Sequence, residues 1–130
     1  MRFVVTGGAG FVGSHLVRHL LKNDHDVIVI DNLHTGKKEN LGSVIDKIEF
    51  QELDIRNHES MKNILKNIDG VFHQAALTVV QDSFSNPKEY HDVNVEGTEN
   101  IFKLSIENKF KVVYASSSSV YGHKKKMPIE

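Results

Sequence analysis

Val4-Val5-Thr6-Gly7-Gly8-Ala9-Gly10-Phe11-Val12-Gly13 is the stretch that decides the fold. A short apolar strand runs into glycines at positions 7, 10 and 13, and an amphipathic helix follows at once. A bound pyrophosphate needs that geometry. Gly7 permits a tight turn, Gly10 lets the backbone approach the phosphates, and Gly13 lets the helix pack closely on the sheet. The N–H groups of Phe11, Val12, Gly13 and Ser14 are expected to point at the anion, backed by the helix dipole. A glycine triad also occurs in surface loops, but here it follows a strand and opens a helix, and Val12, Leu16, Val17, Leu20 and Leu21 are expected on one helix face. Ser14 and His15 follow Gly13 without the lysine of a P-loop, which argues against a nucleoside triphosphate site.

Working outward, apolar runs at Phe3–Thr6, Val27–Asp31, Ile48–Asp54, Val71–Gln74 and Val112–Ala115 read as buried parallel strands. Helices are expected over Phe11–Lys22, briefly over Asn40–Lys47, over Glu59–Asn67, and from Pro87 to Asn108. In the long helix Tyr90, Val93, Gly97, Ile101, Leu104 and Ser105 recur at helical spacing, and Pro87 suits its first turn. Strands alternating with helices imply a doubly wound parallel α/β sheet with strand order 3-2-1-4-5. A sheet of this kind ordinarily continues, so the fifth strand is expected to be an uncovered edge and the 130 residues the front portion of something longer.

Bulk properties narrow the classes. The chain is 39% hydrophobic and 25% charged, with a formal net charge of −1 and no cysteine. That balance is ordinary for a soluble globular protein and argues against electrostatic nucleic-acid binding. Without cysteine there is neither a disulfide framework nor thiolate chemistry. Met1-Arg2 leads straight into the first strand and no apolar run reaches the length of a membrane span, so a cytoplasmic protein with no membrane partner is expected. The histidines show no metal-ligand spacing, and no metal is expected.

Asp31 ends the second strand, where a carboxylate accepts hydrogen bonds from the adenosine ribose and repels a 2′-phosphate. This favours NAD over NADP, although Lys37 and Lys38 nearby can meet a 2′-phosphate. Asn32 can hold the same ribose or cap the next turn. Asp54, at the end of the third strand, can accept from the exocyclic amine of adenine or cap the following helix.

These residues resemble a known group. Thr6-Gly-Gly-Ala-Gly-Phe-Val-Gly-Ser-His15 with Asp31-Asn32-Leu33 is similar to the extended short-chain dehydrogenase/reductases, specifically the NAD-dependent sugar epimerase/dehydratase family. Leu53-Asp54-Ile55-Arg56, His73-Gln74-Ala75-Ala76, Tyr90 to Asn100 and Val113 to Gly122 resemble further family segments, so the likeness covers essentially the whole chain. The resemblance implies a Rossmann-type NAD-binding domain over residues 1–130, with Asp54 and Ile55 cradling adenine. Gln74, Ala75 and Ala76 would lie against the nicotinamide ribose and diphosphate, and Asn94 would hold local backbone. Ser117 occupies the family's catalytic hydroxyl position. Ser118 and Ser119 stand where the 4,6-dehydratases carry an acidic pair, which favours nucleotide-sugar 4-epimerisation over dehydration, decarboxylation or reduction; a non-catalytic NAD-binding module is the alternative from another class.

The family's Tyr-x-x-x-Lys base motif is not expected among these residues. Tyr121 has Lys125 at the right offset but belongs to the Val-Tyr-Gly turn, and Lys124-Lys125-Lys126 reads as a solvated loop. The chain alone is therefore expected not to turn over. For the parent enzyme the resemblance implies a nucleotide-sugar substrate and a homodimer.

Overall fold

The computed structural model describes residues 1–122. Its five strands are β1 (Arg2–Thr6), β2 (Asp26–Asp31), β3 (Glu49–Glu52), β4 (Gly70–His73) and β5 (Lys111–Tyr114). They form one sheet in the order β3-β2-β1-β4-β5, with each neighbouring pair parallel. This is the expected doubly wound topology: β1 and β2 start one residue earlier than expected, β4 and β5 are shifted one residue toward the N-terminus, and β3 covers only Glu49–Glu52 of the expected Ile48–Asp54.

Alternation along the strands explains why helices cover both faces. Val4, Ile28, Ile30 and Val71 pack on one side with Met61, Leu65, Ile101 and Leu104. Val5, Val27 and Val29 pack on the other with Val17, Leu20 and Leu41. The first core is sealed by α2 (His58–Ile64) and α5 (Thr98–Asn108), the second by α1 (Phe11–Lys22). Removing a fully buried side chain such as Ile101 costs about 2–5 kcal/mol.

Three expectations about helices are corrected. In place of one helix over residues 40–47 the chain forms two 3₁₀ turns, Lys38–Asn40 and Gly42–Lys47. A helix over residues 80–85, α3 (Val80–Ser85), precedes the long one and carries no core residue that patterning could detect. The long helix is itself divided into α4 (Pro87–His91), a π-helical turn (Asp92–Gly97) and α5. The wider π turn still leaves Val93, Gly97, Ile101 and Leu104 buried. Gly97 leaves room for Ile55, whose Cδ1 would lie 2.6 Å from a Cβ at that position.

Val12 is also corrected: it is exposed, and the buried face of α1 is made by Gly13, Ser14, Val17 and Leu20. β5 is an edge of the sheet, with Val113 and Tyr114 half exposed. Among the described residues no helix is long and apolar enough to cross a membrane. Lys124, Lys125 and Lys126, and with them the Tyr121–Lys125 pair, lie outside the described residues.

Candidate functional site

The carboxyl ends of β1, β2, β3 and β4 open into one cleft. Its two lobes share Gly7, Gly10, Gln74, Ala75 and Ala76. One lobe runs over Asp31, Asn32, Asp54 and Ile55; the other runs over Phe11, Val12, Gly13, Asn94, Thr98 and Ser117. The glycine loop therefore lies where the lobes meet.

Gly7 turns the chain out of β1 with φ of +67°, and a Cβ there would stand 2.7 Å from the Ala75 nitrogen. Gly13 packs directly beneath the loop, where a Cβ would collide with the Gly7 carbonyl oxygen and lie 2.7 Å from Gly8 Cα. Gly10 is the N-cap of α1 and offers no side chain to the first turn. The N–H groups of Phe11, Val12 and Gly13 consequently remain for an anion. Ser14 does not join them: its N–H donates to Gly10 O at 3.0 Å.

Asp31 is only 7% exposed. One carboxylate oxygen accepts from Ala9 N–H at 2.9 Å and the other from Leu33 N–H at 2.8 Å. A carboxylate has about four acceptor sites, so it organises the turn while keeping capacity toward the cleft. Asn32 uses Oδ1 to accept from His34 N–H at 3.1 Å, and its Nδ2 donates to Asp54 Oδ2 at 3.2 Å. The turn-capping role left open by the sequence is thus filled. Lys38 pairs with Glu52 at 3.1 Å.

Asp54 is not the cap of α2; Asn57 is, accepting from Ser60 N–H at 3.1 Å. Asp54 instead takes the Arg56 backbone N–H and Nε on Oδ1, and Arg56 Nη2 on Oδ2 at 2.7 Å. The Arg56 hydrogen bond outweighs the cost of burial and holds the Asp54 carboxyl at a pKa of about 2, while the Arg56 guanidinium is pushed up by the same contact. Ile55 beside it is buried and forms the apolar wall of that lobe.

On the far side, Gln74, Ala75 and Ala76 follow β4, with Gln74 N–H donating to Thr6 O at 3.1 Å. Asn94 holds the next residue from both sides: its Oδ1 accepts from Leu77 N–H and its Nδ2 donates to Leu77 O, each at 2.8 Å. The expectation that Asn94 fixes backbone is what the structure contains. His73, read from sequence as one of the scattered polar residues, is buried and bonded through both ring nitrogens, Nδ1 to Thr6 Oγ1 at 2.6 Å and Nε2 to Thr98 Oγ1 at 2.9 Å. Burial pushes its imidazole down to a pKa of about 4. Its position at a strand end, just before Gln74 and the small Ala75-Ala76 pair, was the available signal. Ser117 sits beyond β5 at the rim of the second lobe, its Oγ accepting from Ser119 N–H at 3.1 Å.

Elsewhere, His91, Asp92 and Glu96 approach one another to within 4.8 Å on an exposed helix surface. Asp92 is already paired there with Lys88 at 2.6 Å.

A long ligand with an anionic middle fits these residues: uncapped amides follow directly on Gly10 at the junction of two lobes, with a buried carboxylate in one and a hydroxyl at the rim of the other. Comparison with known proteins agrees. The NAD dependent epimerase/dehydratase family matches residues 3–130. A UDP-glucose 4-epimerase of Lactobacillus helveticus is 39% identical over 132 residues, covering 99% of this chain and 39% of that protein. A UDP-N-acetyl-alpha-D-glucosaminuronate decarboxylase of Bacillus cytotoxicus is 37% identical over 121 residues, covering 93% of this chain and 38% of that protein. The structure of a UDP-glucose-4-epimerase from Stenotrophomonas maltophila, with bound NAD and formylated UDP-arabinopyranose, superposes with a TM-score of 0.90 at 31% identity, covering 99% of this chain and 40% of that one. The chain thus spans about two fifths of the length of these relatives.

Proposed function

The chain belongs to the NAD dependent epimerase/dehydratase family, and from that premise we propose that it forms the NAD-binding part of a nucleotide-sugar 4-epimerase resembling UDP-glucose 4-epimerase. The observation that carries this reading is the two-lobed cleft meeting at the glycine loop. NAD, when bound, supplies a hydride acceptor that can return what it takes.

The chain's own residues bind and orient. The N–H groups of Phe11, Val12 and Gly13 hold the diphosphate at the end of α1, beside Gly7 and Gly10. Asp31 accepts from the adenosine ribose with its remaining lone pairs, and its charge opposes a 2′-phosphate. Asp54 already has four donors, so its acceptor sites are filled. The longest of these contacts, to Asn32 at 3.2 Å, is the one that an adenine amine would replace. Ile55 packs on the adenine ring. Gln74, Ala75 and Ala76 bound the nicotinamide side, the small size of the two alanines permitting close approach. Ser117 orients the sugar hydroxyl that loses or gains a proton.

Ser118 and Ser119 supply no carboxylic acid beside Ser117, which supports epimerisation over dehydration. The decarboxylase relative keeps a second reaction of the same family in play. We infer that these 130 residues alone bind NAD weakly and without turnover, because Tyr114, which lines the second lobe, is followed four positions on by Ser118 and not by the lysine of the family's base motif. Calorimetric titration with NAD and NADP tests the cofactor reading, with NAD expected to bind more tightly. A hybrid joining residues 1–130 to the remaining C-terminal part of the Stenotrophomonas maltophila enzyme tests the reaction. It is expected to interconvert UDP-glucose and UDP-galactose; a hybrid that binds NAD yet only decarboxylates or dehydrates its sugar would overturn the epimerase reading.

A further inference from the structure

We propose that Asn40 is a positioning residue for the diphosphate-binding amides, acting through the carbonyl of Ala9. The assignment rests on the reading of the cleft as an NAD site.

The peptide unit between Ala9 and Gly10 is bonded at both ends. Its N–H, from Gly10, donates to Gly7 O at 3.1 Å. Its carbonyl, from Ala9, accepts from Lys37 N–H at 3.0 Å and from Asn40 Nδ2 at 2.8 Å. The preceding peptide is held as well, by the Ala9 N–H bond to Asp31. Peptide units are planar and stiff, so three bonds to one unit fix its orientation. The very next unit carries the Phe11 N–H, the first of the free amides of α1. The clamp therefore sets the direction from which those amides start.

Asn40 is itself anchored. Its N–H donates to Lys37 O at 3.0 Å, and its carbonyl accepts from Arg18 Nη2. Arg18 Nη1 then donates to Ser14 O at 3.0 Å, within the first turns of α1. The chain of contacts leaves the glycine loop, crosses to the loop after β2, and returns to the helix whose terminus faces the cleft. Gly36 lets this second loop lie close, since a Cβ there would stand 2.8 Å from Asp31 Oδ1 and 3.1 Å from the Ala9 carbonyl carbon. Asn40 lines neither lobe of the cleft. Its effect on a ligand passes through Ala9, by orienting donors before the ligand arrives.

The test uses the chain itself, with NAD affinity by calorimetry and backbone amide exchange by NMR in the absence of ligand. Asn40→Ala removes the donor; Asn40→Asp keeps the shape and sets an acceptor against the Ala9 carbonyl. Loss of one such hydrogen bond is expected to weaken NAD binding about tenfold in Asn40→Ala, and further in Asn40→Asp. Exchange of the Ala9 and Gly10 amides is expected to quicken by a similar factor, with Val5 and Ile28 in the sheet unchanged. A purely structural role would quicken all four alike. Variants that bind NAD as tightly as the original, or that loosen loop and sheet equally, overturn the assignment alone. An original chain that does not bind NAD overturns the functional reading and this assignment with it.

Discussion

The Nε2 of His73 lies 2.9 Å from Thr98 Oγ1, joining the end of β4 to the first turn of α5. The direction of this bond follows from its neighbours. Thr98 gives its hydroxyl proton to Asn94 O at 2.8 Å, so the imidazole donates to Thr98 through Nε2. Nδ1 then accepts from Thr6 Oγ1, which itself accepts from Ala75 N–H at 3.3 Å. Neutral histidine satisfies every partner in the chain; the imidazolium would face Thr6 with a second donor.

Stability should therefore depend on pH through His73. Its folded pKa of about 4 lies below the ordinary 6.5, so between those values the unfolded chain holds a proton that the folded chain refuses. The contribution is complete above pH 6.5 and is lost as pH falls toward 4, by about 3 kcal/mol. Urea unfolding at pH 7.5 and pH 4.5 measures it. His73→Asn should be less stable at pH 7.5 and should lose less between the two conditions; an unchanged slope would refute the assignment.

Asp54 owes its low pKa first to Arg56. Replacing Arg56 with Met should raise the Asp54 pKa from about 2 toward the ordinary 3.8, followed by its carboxyl carbon shift in an NMR titration. A depressed carboxylate stabilises the fold above its unfolded pKa and loses that contribution as pH falls through the folded one. The part of acid unfolding between pH 3.8 and pH 2 that comes from Asp54, on the order of 1 to 2 kcal/mol, should disappear in the variant. An Asp54 titration curve that does not move sinks the argument.

Gly13 and Gly10 should separate folding from binding. A methyl group at residue 13 meets backbone of Gly7 and Gly8, so Gly13→Ala should destabilise by roughly 3 kcal/mol or prevent folding. At residue 10 a Cβ meets only the Gly7 oxygen, at 3.2 Å. Gly10→Ala should keep most of the stability and weaken NAD binding. Thermal unfolding and calorimetry on both variants distinguish the two effects, and equal loss of stability in both would contradict the prediction.

Ser117 accepts from the Ser119 N–H and stands at the rim of the second lobe. In the hybrid enzyme, Ser117→Ala should lower kcat about 100-fold while leaving NAD affinity unchanged, and Ser117→Thr should recover most of the rate. Retention of full activity in Ser117→Ala would remove the serine from the reaction.

Where the signal was local, the chain could be read directly. The run from Val4 to Gly13 carries strand, turn and helix start in its own order, and the unbroken apolar run from Val27 to Ile30 marks a strand buried on both faces. The strand order follows from connection rules once those elements are placed. Bonds between distant segments left no such trace. Nothing in the period of α1 says that Val12 turns outward, because its neighbour Gly13 takes the buried position against the loop. Asn57, not Asp54, adjoins the start of α2 and caps it, while Arg56 takes up the Asp54 carboxylate at close range. The α3 helix buries no apolar side chain, so no periodicity could announce it. The links among Thr6, His73, Thr98 and Asn94 join residues far apart in sequence and exist only once the sheet is assembled.

The joint between Ile55 and Gly97 has a further consequence. Ile55 walls the lobe that runs over Asp31 and Asp54, and its terminal carbons occupy the space that a side chain at residue 97 would need. Any larger residue there requires Ile55 to shift, and with it the wall of this lobe. The capacity of this lobe is thus governed from the rear of its own wall, by a glycine that does not itself line the cleft.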